Sequence, residues 1–244
     1  MSKVVLITGS SRGIGKAIAL EFARGGGYNI VINYNKSQAE AEDLEKYIKD
    51  NFGVEALAIQ ADVTDEIAVK NMIDQIISKF GKIDCLVNNA GIAIDKEFED
   101  RTIEDWKITL NTNLIGPFLV SKYVAQEMLK VKQGKIINIS STNGINAFFP
   151  TSIDYDASKA GLINLTHNLA LQFAPYINVN CVAPGWVNTD MNKELPKDLI
   201  EEETEKIYKK RFAEPSEIGK VVVFLASDDA DFINDEVIKV DGGY

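Results

Sequence analysis

Val4-Val5-Leu6-Ile7-Thr8-Gly9-Ser10-Ser11-Arg12-Gly13-Ile14-Gly15 joins an apolar run of strand length to a turn with three glycines and the start of an amphipathic stretch. Gly9 permits a tight turn, Gly13 lets backbone approach a pyrophosphate, and Gly15 lets the following helix lie close to a sheet. The helix start then offers free N–H groups and a positive dipole end to phosphate oxygens. Glycines alone are weak evidence; their position after a strand and before a helix is what a dinucleotide cradle requires.

The same alternation continues along the chain. Short apolar runs at Val4 to Ile7, Tyr28 to Ile32, Val54 to Ile59, Ile83 to Asn88, Lys135 to Ile139, Val179 to Ala183 and Glu236 to Val240 predict strands. Their continuous apolar character suits a parallel sheet covered on both faces. Helical patterns fall between them at Gly15 to Arg24, Gln38 to Asn51, Asp65 to Phe80, Ile103 to Lys130, Tyr155 to Phe173 and Ser216 to Ala226. The expected fold class is α/β, a Rossmann-like doubly wound parallel sheet of about seven strands in one domain over 1–244. The irregular, charged stretch 188–212, with Pro196, is expected to be a substrate lid.

Composition narrows the chemistry. The 244 residues carry 26 basic and 36 acidic side chains, a net charge of −10, which argues against nucleic acid or an anionic membrane as the main partner. The only histidine, His167, leaves no multi-histidine metal site within one chain. Cys85 and Cys181 sit in apolar runs without Cys-x-x-Cys spacing, so they predict buried strand thiols. The first apolar run is too short for a signal peptide or a span, and the expected compartment is the cytoplasm.

Tyr155 and Lys159, four residues apart on a predicted helix, project from one face. A free tyrosine, with a pKa near about 10, holds its proton too firmly for rapid exchange near neutrality. A neighbouring ammonium favours the phenolate and is expected to lower that value.

With the Thr8-Gly9-x-x-x-Gly13-x-Gly15 spacing, Asn88-Asn89-Ala90-Gly91, Asn113, Ser141, Tyr155-x-x-x-Lys159 and Pro184-Gly185 in order, the sequence resembles the classical short-chain dehydrogenase/reductase family along its whole length. The resemblance implies Tyr155 as general acid/base and Lys159 as its perturber and a ribose ligand. It implies Ser141 on the substrate carbonyl oxygen and Asn113 anchoring a water in a proton relay. Gly9, Ser11, Arg12, Gly13, Ile14, Asn33, Asn89, Ala90 and Gly91 would line the cofactor with Tyr155 and Lys159. Asp62 and Val63 would flank the adenine, with Asp62 equally suited to cap the next helix. Pro184, Gly185, Val187 and Thr189 would hold the nicotinamide carboxamide.

The second strand decides which nicotinamide cofactor is expected. Val31-Ile32-Asn33-Tyr34-Asn35-Lys36-Ser37 has no carboxylate to take a ribose 2′-hydroxyl. Arg12 and Lys36 offer positive charge for a 2′-phosphate instead, so NADP(H) is favoured over NAD(H).

Within the family, Val31-Ile32-Asn33-Tyr34, Ala183 to Met191 and Val240-Asp241-Gly242-Gly243 are most similar to the bacterial 3-oxoacyl-(acyl carrier protein) reductases. That likeness implies NADPH-dependent reduction of a 3-oxoacyl thioester in fatty acid synthesis, with an acyl carrier protein as a partner. Departures are Ile233-Asn234-Asp235-Glu236 in place of a glycine-bearing turn, and a Ser141–Tyr155 spacing of 14 where 13 is usual. Leu171-Gln172 also stand where a basic residue would help dock an acidic carrier, leaving Lys130 and Lys132 as docking cations. The alternative is another NADP(H)-dependent alcohol or sugar dehydrogenase; an intact Asn113, Ser141, Tyr155 and Lys159 set speaks against a non-catalytic nucleotide sensor. Apolar residues around much of the two longest helices, with the family likeness, predict a homotetramer.

Overall fold

The computed structural model describes residues 2–189, 192 and 195–244. Seven strands, β1 (Lys3–Ile7), β2 (Tyr28–Tyr34), β3 (Ala56–Gln60), β4 (Cys85–Asn88), β5 (Gly134–Ile139), β6 (Ile177–Pro184) and β7 (Val237–Val240), form one sheet. The strand order is β3-β2-β1-β4-β5-β6-β7 and each pair is parallel. Helices α1 (Gly13–Gly25), α2 (Gln38–Phe52), α3 (Glu66–Phe80), α4 (Ile103–Leu110), α5 (Gly116–Val131), α6 (Ile153–Phe173), α7 (Lys197–Lys206) and α8 (Pro215–Ala226) connect or follow them.

Two buried apolar clusters lie on the two faces of the sheet. One joins Ile7, Ile32 and Val182 to Phe22 and Val222 from α1 and α8; the other joins Leu6, Leu86 and Ile136 to Met72 and Met128 from α3 and α5. Neighbouring strand residues therefore alternate between two dry layers, which explains runs without polar interruption. The order reverses between β1 and β4, so their carboxyl ends open a crevice where a doubly wound sheet binds ligands.

The helical stretch expected over Ile103 to Lys130 is three pieces. α4 runs into a π-helical turn, Asn111–Ile115, and α5 resumes with Pro117 in its first turn. The wider turn reconciles a continuous helix with polar Asn111-Thr112-Asn113 and a proline that cannot donate to the helix ladder. Gly116 completes the fit, because a Cβ there would stand 2.8 Å from a methyl of Val63.

Candidate active site

At the crevice, Gly9 and Gly13 both hold left-handed backbone, with φ of +60° and +57°. A Cβ at Gly15 would stand 2.5 Å from both Asn89 Nδ2 and the Gly9 carbonyl oxygen, which enforces glycine through close packing. Thr8 and Asn89 tie the two strands at the reversal. Asn89 Nδ2 donates to the carbonyls of Thr8 and Gly9 at 2.9 and 3.0 Å, while Thr8 Oγ1 accepts from the amides of Asn89 and Ala90 at 3.0 Å. Buried Asn33 props the loop from behind: its Oδ1 accepts from Gly9 N at 3.2 Å and its Nδ2 donates to Ala61 O at 3.0 Å. Its side chain thus builds the cradle. Thr8 stood in the sequence motif without an assigned part.

Arg12 is the N-cap of α1 in extended conformation; no side chain caps this end and no acid occupies the first turn. The positive end of the helix is therefore left to an external anion. The open side of Gly13 faces Thr189, whose Cγ2 lies 4.0 Å from where a Cβ would stand. Ser11 is buried and Ile14 half-buried beside it.

Arg12 and Lys36 are both exposed, flanking the loop and the end of β2. Asp62 accepts from Thr64 N and Oγ1 at 2.9 and 2.7 Å and from Asn35 Nδ2 at 2.9 Å. These bonds, with Lys36 nearby, hold its carboxyl below its ordinary pKa against desolvation. Asp62 is not the cap of α3: Asp65 is, accepting from Ile67 N and Ala68 N. The turn closed on Thr64 places the cap three residues beyond Asp62.

Tyr155 and Lys159 share one face of α6, with Nζ 5.5 Å from the phenol ring centre. Lys159 is 5% exposed, and its Nζ donates to Ile139 O at 2.9 Å. Desolvation lowers the ammonium pKa to about 8. The expected lowering of the phenol is reversed here: desolvation first, then Asp156 and Asp95, push Tyr155 up to about 12, with Ser141 opposing the rise. The ammonium leans on a carbonyl rather than on the phenol oxygen, so desolvation dominates.

Asn113 sits in the π-helical turn and is fully buried. Its amide accepts from Ile92 N and donates to Ile92 O, both at 2.8 Å, and donates to Ser158 Oγ at 3.0 Å. A Cβ at Gly91 would lie 3.3 Å from Asn113 Oδ1 and 3.5 Å from Lys159 Nζ, so glycine there keeps these two groups mutually accessible.

After β6, Gly185 crosses Asp241 so closely that a Cβ would stand 2.9 Å from the aspartate Cβ. Pro184 ends the strand, and buried Val187 bridges to Ala213. Trp186 stacks on Phe212 with centres 5.3 Å apart and meets Phe149 edge-on at 5.5 Å. Its Nε1 donates to Glu203 Oε2 at 2.9 Å, and Tyr244 OH donates to the same oxygen at 2.5 Å. Glu203 belongs to α7, so this knot fixes that helix of the 188–212 stretch. Positions 190, 191, 193 and 194 lie outside the described residues. His167, on the same helix as Tyr155, pairs with Asp235 at 2.5 Å, in the turn that departs from the usual glycine.

A switch-point crevice with a glycine cradle, and a serine, a tyrosine and a lysine at its mouth, defines a nucleotide-dependent oxidoreductase. Comparison with known proteins agrees. Residues 9–244 match the family model described as Enoyl-(Acyl carrier protein) reductase. The chain is 43% identical over 244 residues to 3-oxoacyl-(acyl-carrier-protein) reductase FabG of Staphylococcus epidermidis, covering 100% of this chain and 99% of that protein. It is 39% identical to the reductase of the same name from Thermotoga maritima, covering 99% and 97%. A solved structure from Sinorhizobium meliloti, described as a putative short-chain alcohol dehydrogenase, superposes with a TM-score of 0.94 at 34% identity, covering 100% and 97%. The chain belongs to the short-chain dehydrogenase/reductase family.

Proposed function

We propose that this chain reduces the ketone of a 3-oxoacyl thioester to the 3-hydroxyacyl thioester with NADPH, the acyl group being carried by an acyl carrier protein. What supports the reading is the Tyr155–Lys159 pair on one face of α6, with Lys159 Nζ beside Gly91 at the crevice, joined to the names of full-length relatives.

The nicotinamide cofactor would supply a hydride to the carbonyl carbon. Gly9, Ser11, Gly13 and Ile14 would take its phosphates on backbone amides at the uncapped start of α1. Arg12 and Lys36 would neutralise a 2′-phosphate. Asp62, Val63, Asn89, Ala90 and Gly91 would line the adenosine half and the crevice, and Pro184, Gly185, Val187 and Thr189 the nicotinamide side. As charge develops on the substrate oxygen, Tyr155 OH gives it a proton and Ser141 Oγ gives it a hydrogen bond. Lys159, charged below its pKa of about 8, stabilises the phenolate left behind. Asn113 holds the Gly91–Ile92 backbone beside that ammonium.

The stretch 188–212 serves as the substrate lid, and the Glu203 knot is the contact that its helix α7 must break in order to move. Phe118 and Leu129 of α5 are 46% and 38% exposed and share a groove with Leu169 and Phe173 of α6, which supports burial of this face in a homotetramer. Lys130 and Lys132 offer docking charge to the carrier. Both cysteines are free and buried, in keeping with a cytoplasmic protein.

The matched family model's description names enoyl reduction, so the decisive assay sets acetoacetyl thioester against crotonyl thioester with NADPH. Oxidation of NADPH by the first alone is expected; turnover of only the second would sink the proposal. A simple ketone panel tests the second reading, a short-chain alcohol or sugar dehydrogenase, which the structural likeness to the Sinorhizobium enzyme keeps in view.

A further inference from the structure

Between Ser141 and Tyr155 runs a chain of side-chain bonds whose polarity can be read. Asp156 follows Tyr155 on α6, and as a carboxylate it can only accept. Its Oδ1 accepts from Asn143 Nδ2 at 2.7 Å and from Ser152 Oγ at 3.0 Å, while its Oδ2 accepts from Phe149 N at 3.2 Å. Asn143 must therefore turn its amino group to Asp156 and its oxygen the other way. That oxygen lies 3.2 Å from Ser141 Oγ, and the Asn143 backbone N–H also donates to Ser141 Oγ at 3.2 Å. The serine oxygen is thus held from two sides by one residue, its proton directed to Asn143 Oδ1.

We infer that Asn143 and Asp156 are positioning residues, which act through Ser141 to fix its hydroxyl for the substrate oxygen. The inference rests on the role proposed for Ser141. Before substrate arrives, Asn143 Oδ1 holds the serine proton. When a carbonyl oxygen enters, rotation about the Cβ–Oγ bond transfers that hydrogen bond to the substrate, with Oγ kept in place by the Asn143 N–H, and Asn143 kept in place in turn by its Nδ2 bond to Asp156. The same contacts pin the loop 143–152, one residue longer than the usual spacing, against the first turn of α6.

A double-mutant cycle tests this. Asn143→Leu, close in shape, removes both the acceptor for Ser141 and the tie to Asp156 and leaves the backbone donor without its anchor; kcat is expected to fall between about ten- and a hundredfold, with the Kd for NADPH by fluorescence titration unchanged. In a Ser141→Ala background the same change should add nothing, because the group it positions is gone. Asp156→Leu, which leaves both ends of the Ser141–Asn143 pair in place, should reproduce the kcat loss and the same dependence on Ser141. Thermal midpoints and cofactor binding verify that each variant is folded. Wild-type kcat for Asn143→Leu, or an equal loss in both backgrounds, would overturn the inference. Wild-type turnover by Ser141→Ala alone would instead overturn the role of Ser141 beneath it.

Discussion

Arg101 and Asp154 meet where solvent barely reaches: their side chains are 2% and 0% exposed, and the guanidinium donates to the carboxylate. Arg101 also donates to the carbonyls of Ile94 at 2.9 Å and of Thr151, and Thr109 Oγ1 donates to the other oxygen of Asp154 at 2.8 Å. The loop after β4 is thereby fastened to the first turn of α6, one residue from Tyr155. Breaking a buried pair from one side strands a charge, at a cost of about 3–5 kcal/mol. Asp154→Ala should lose that much in urea denaturation, and a loss under about 1 kcal/mol, the range of an exposed pair, would contradict the buried geometry.

Tyr155→Phe removes one oxygen and leaves the ring packing intact. Turnover should fall by about two to four orders of magnitude, the usual contribution of a positioned proton donor. Binding of NADPH, measured by fluorescence, should persist. Retained turnover would remove Tyr155 from its role.

The pH profile follows from the two pKa shifts. Lys159 carries its charge below about 8 and loses it as pH rises through that value, while Tyr155, at about 12, keeps its proton throughout the range. Ketone reduction needs both groups protonated, so kcat/KM should be level in neutral buffer and decline above pH about 8. A profile flat to pH about 10, near the ordinary lysine value, would show that the lysine charge is not used.

Cofactor choice should respond to Arg12 and Lys36 separately. A charge-assisted hydrogen bond contributes about 1.5–3 kcal/mol, so Arg12→Ala or Lys36→Ala should raise the KM for NADPH by about tenfold or more and leave that for NADH nearly unchanged. Equal effects on both cofactors would mean that the two cations sit away from the 2′ position.

Gly15→Ala tests the close packing behind the cradle. A methyl 2.5 Å from Asn89 Nδ2 and the Gly9 carbonyl must displace the β1–β4 junction. Overpacking of this kind costs about 1–3 kcal/mol, visible as a lower thermal midpoint together with weaker NADPH binding.

The sequence disclosed the alternation of elements and the spacing of the tyrosine pair because both are local: period and offset survive in one dimension. Strand ends moved by only a few residues, as at β6, which starts at Ile177 rather than Val179. What escaped was long-range. Nothing in the string joins Arg101 to Asp154, 53 positions apart, or Trp186 and Tyr244 to Glu203. The acids on either side of Tyr155 were a visible signal, yet their partners come from other segments. The raised pKa of the tyrosine lay out of reach for the same reason, since a neighbouring lysine can be counted in sequence and desolvation by other segments cannot.

The indole of Trp186 has one further use. It stands between Phe149 and Phe212, with its N–H on the carboxylate of Glu203 from α7. Any outward swing of that helix breaks the bond and changes the polarity around the ring. Intrinsic fluorescence, recorded in a Trp106→Phe background to silence the chain's other tryptophan, therefore makes the proposed lid helix its own optical gauge, with no dye attached.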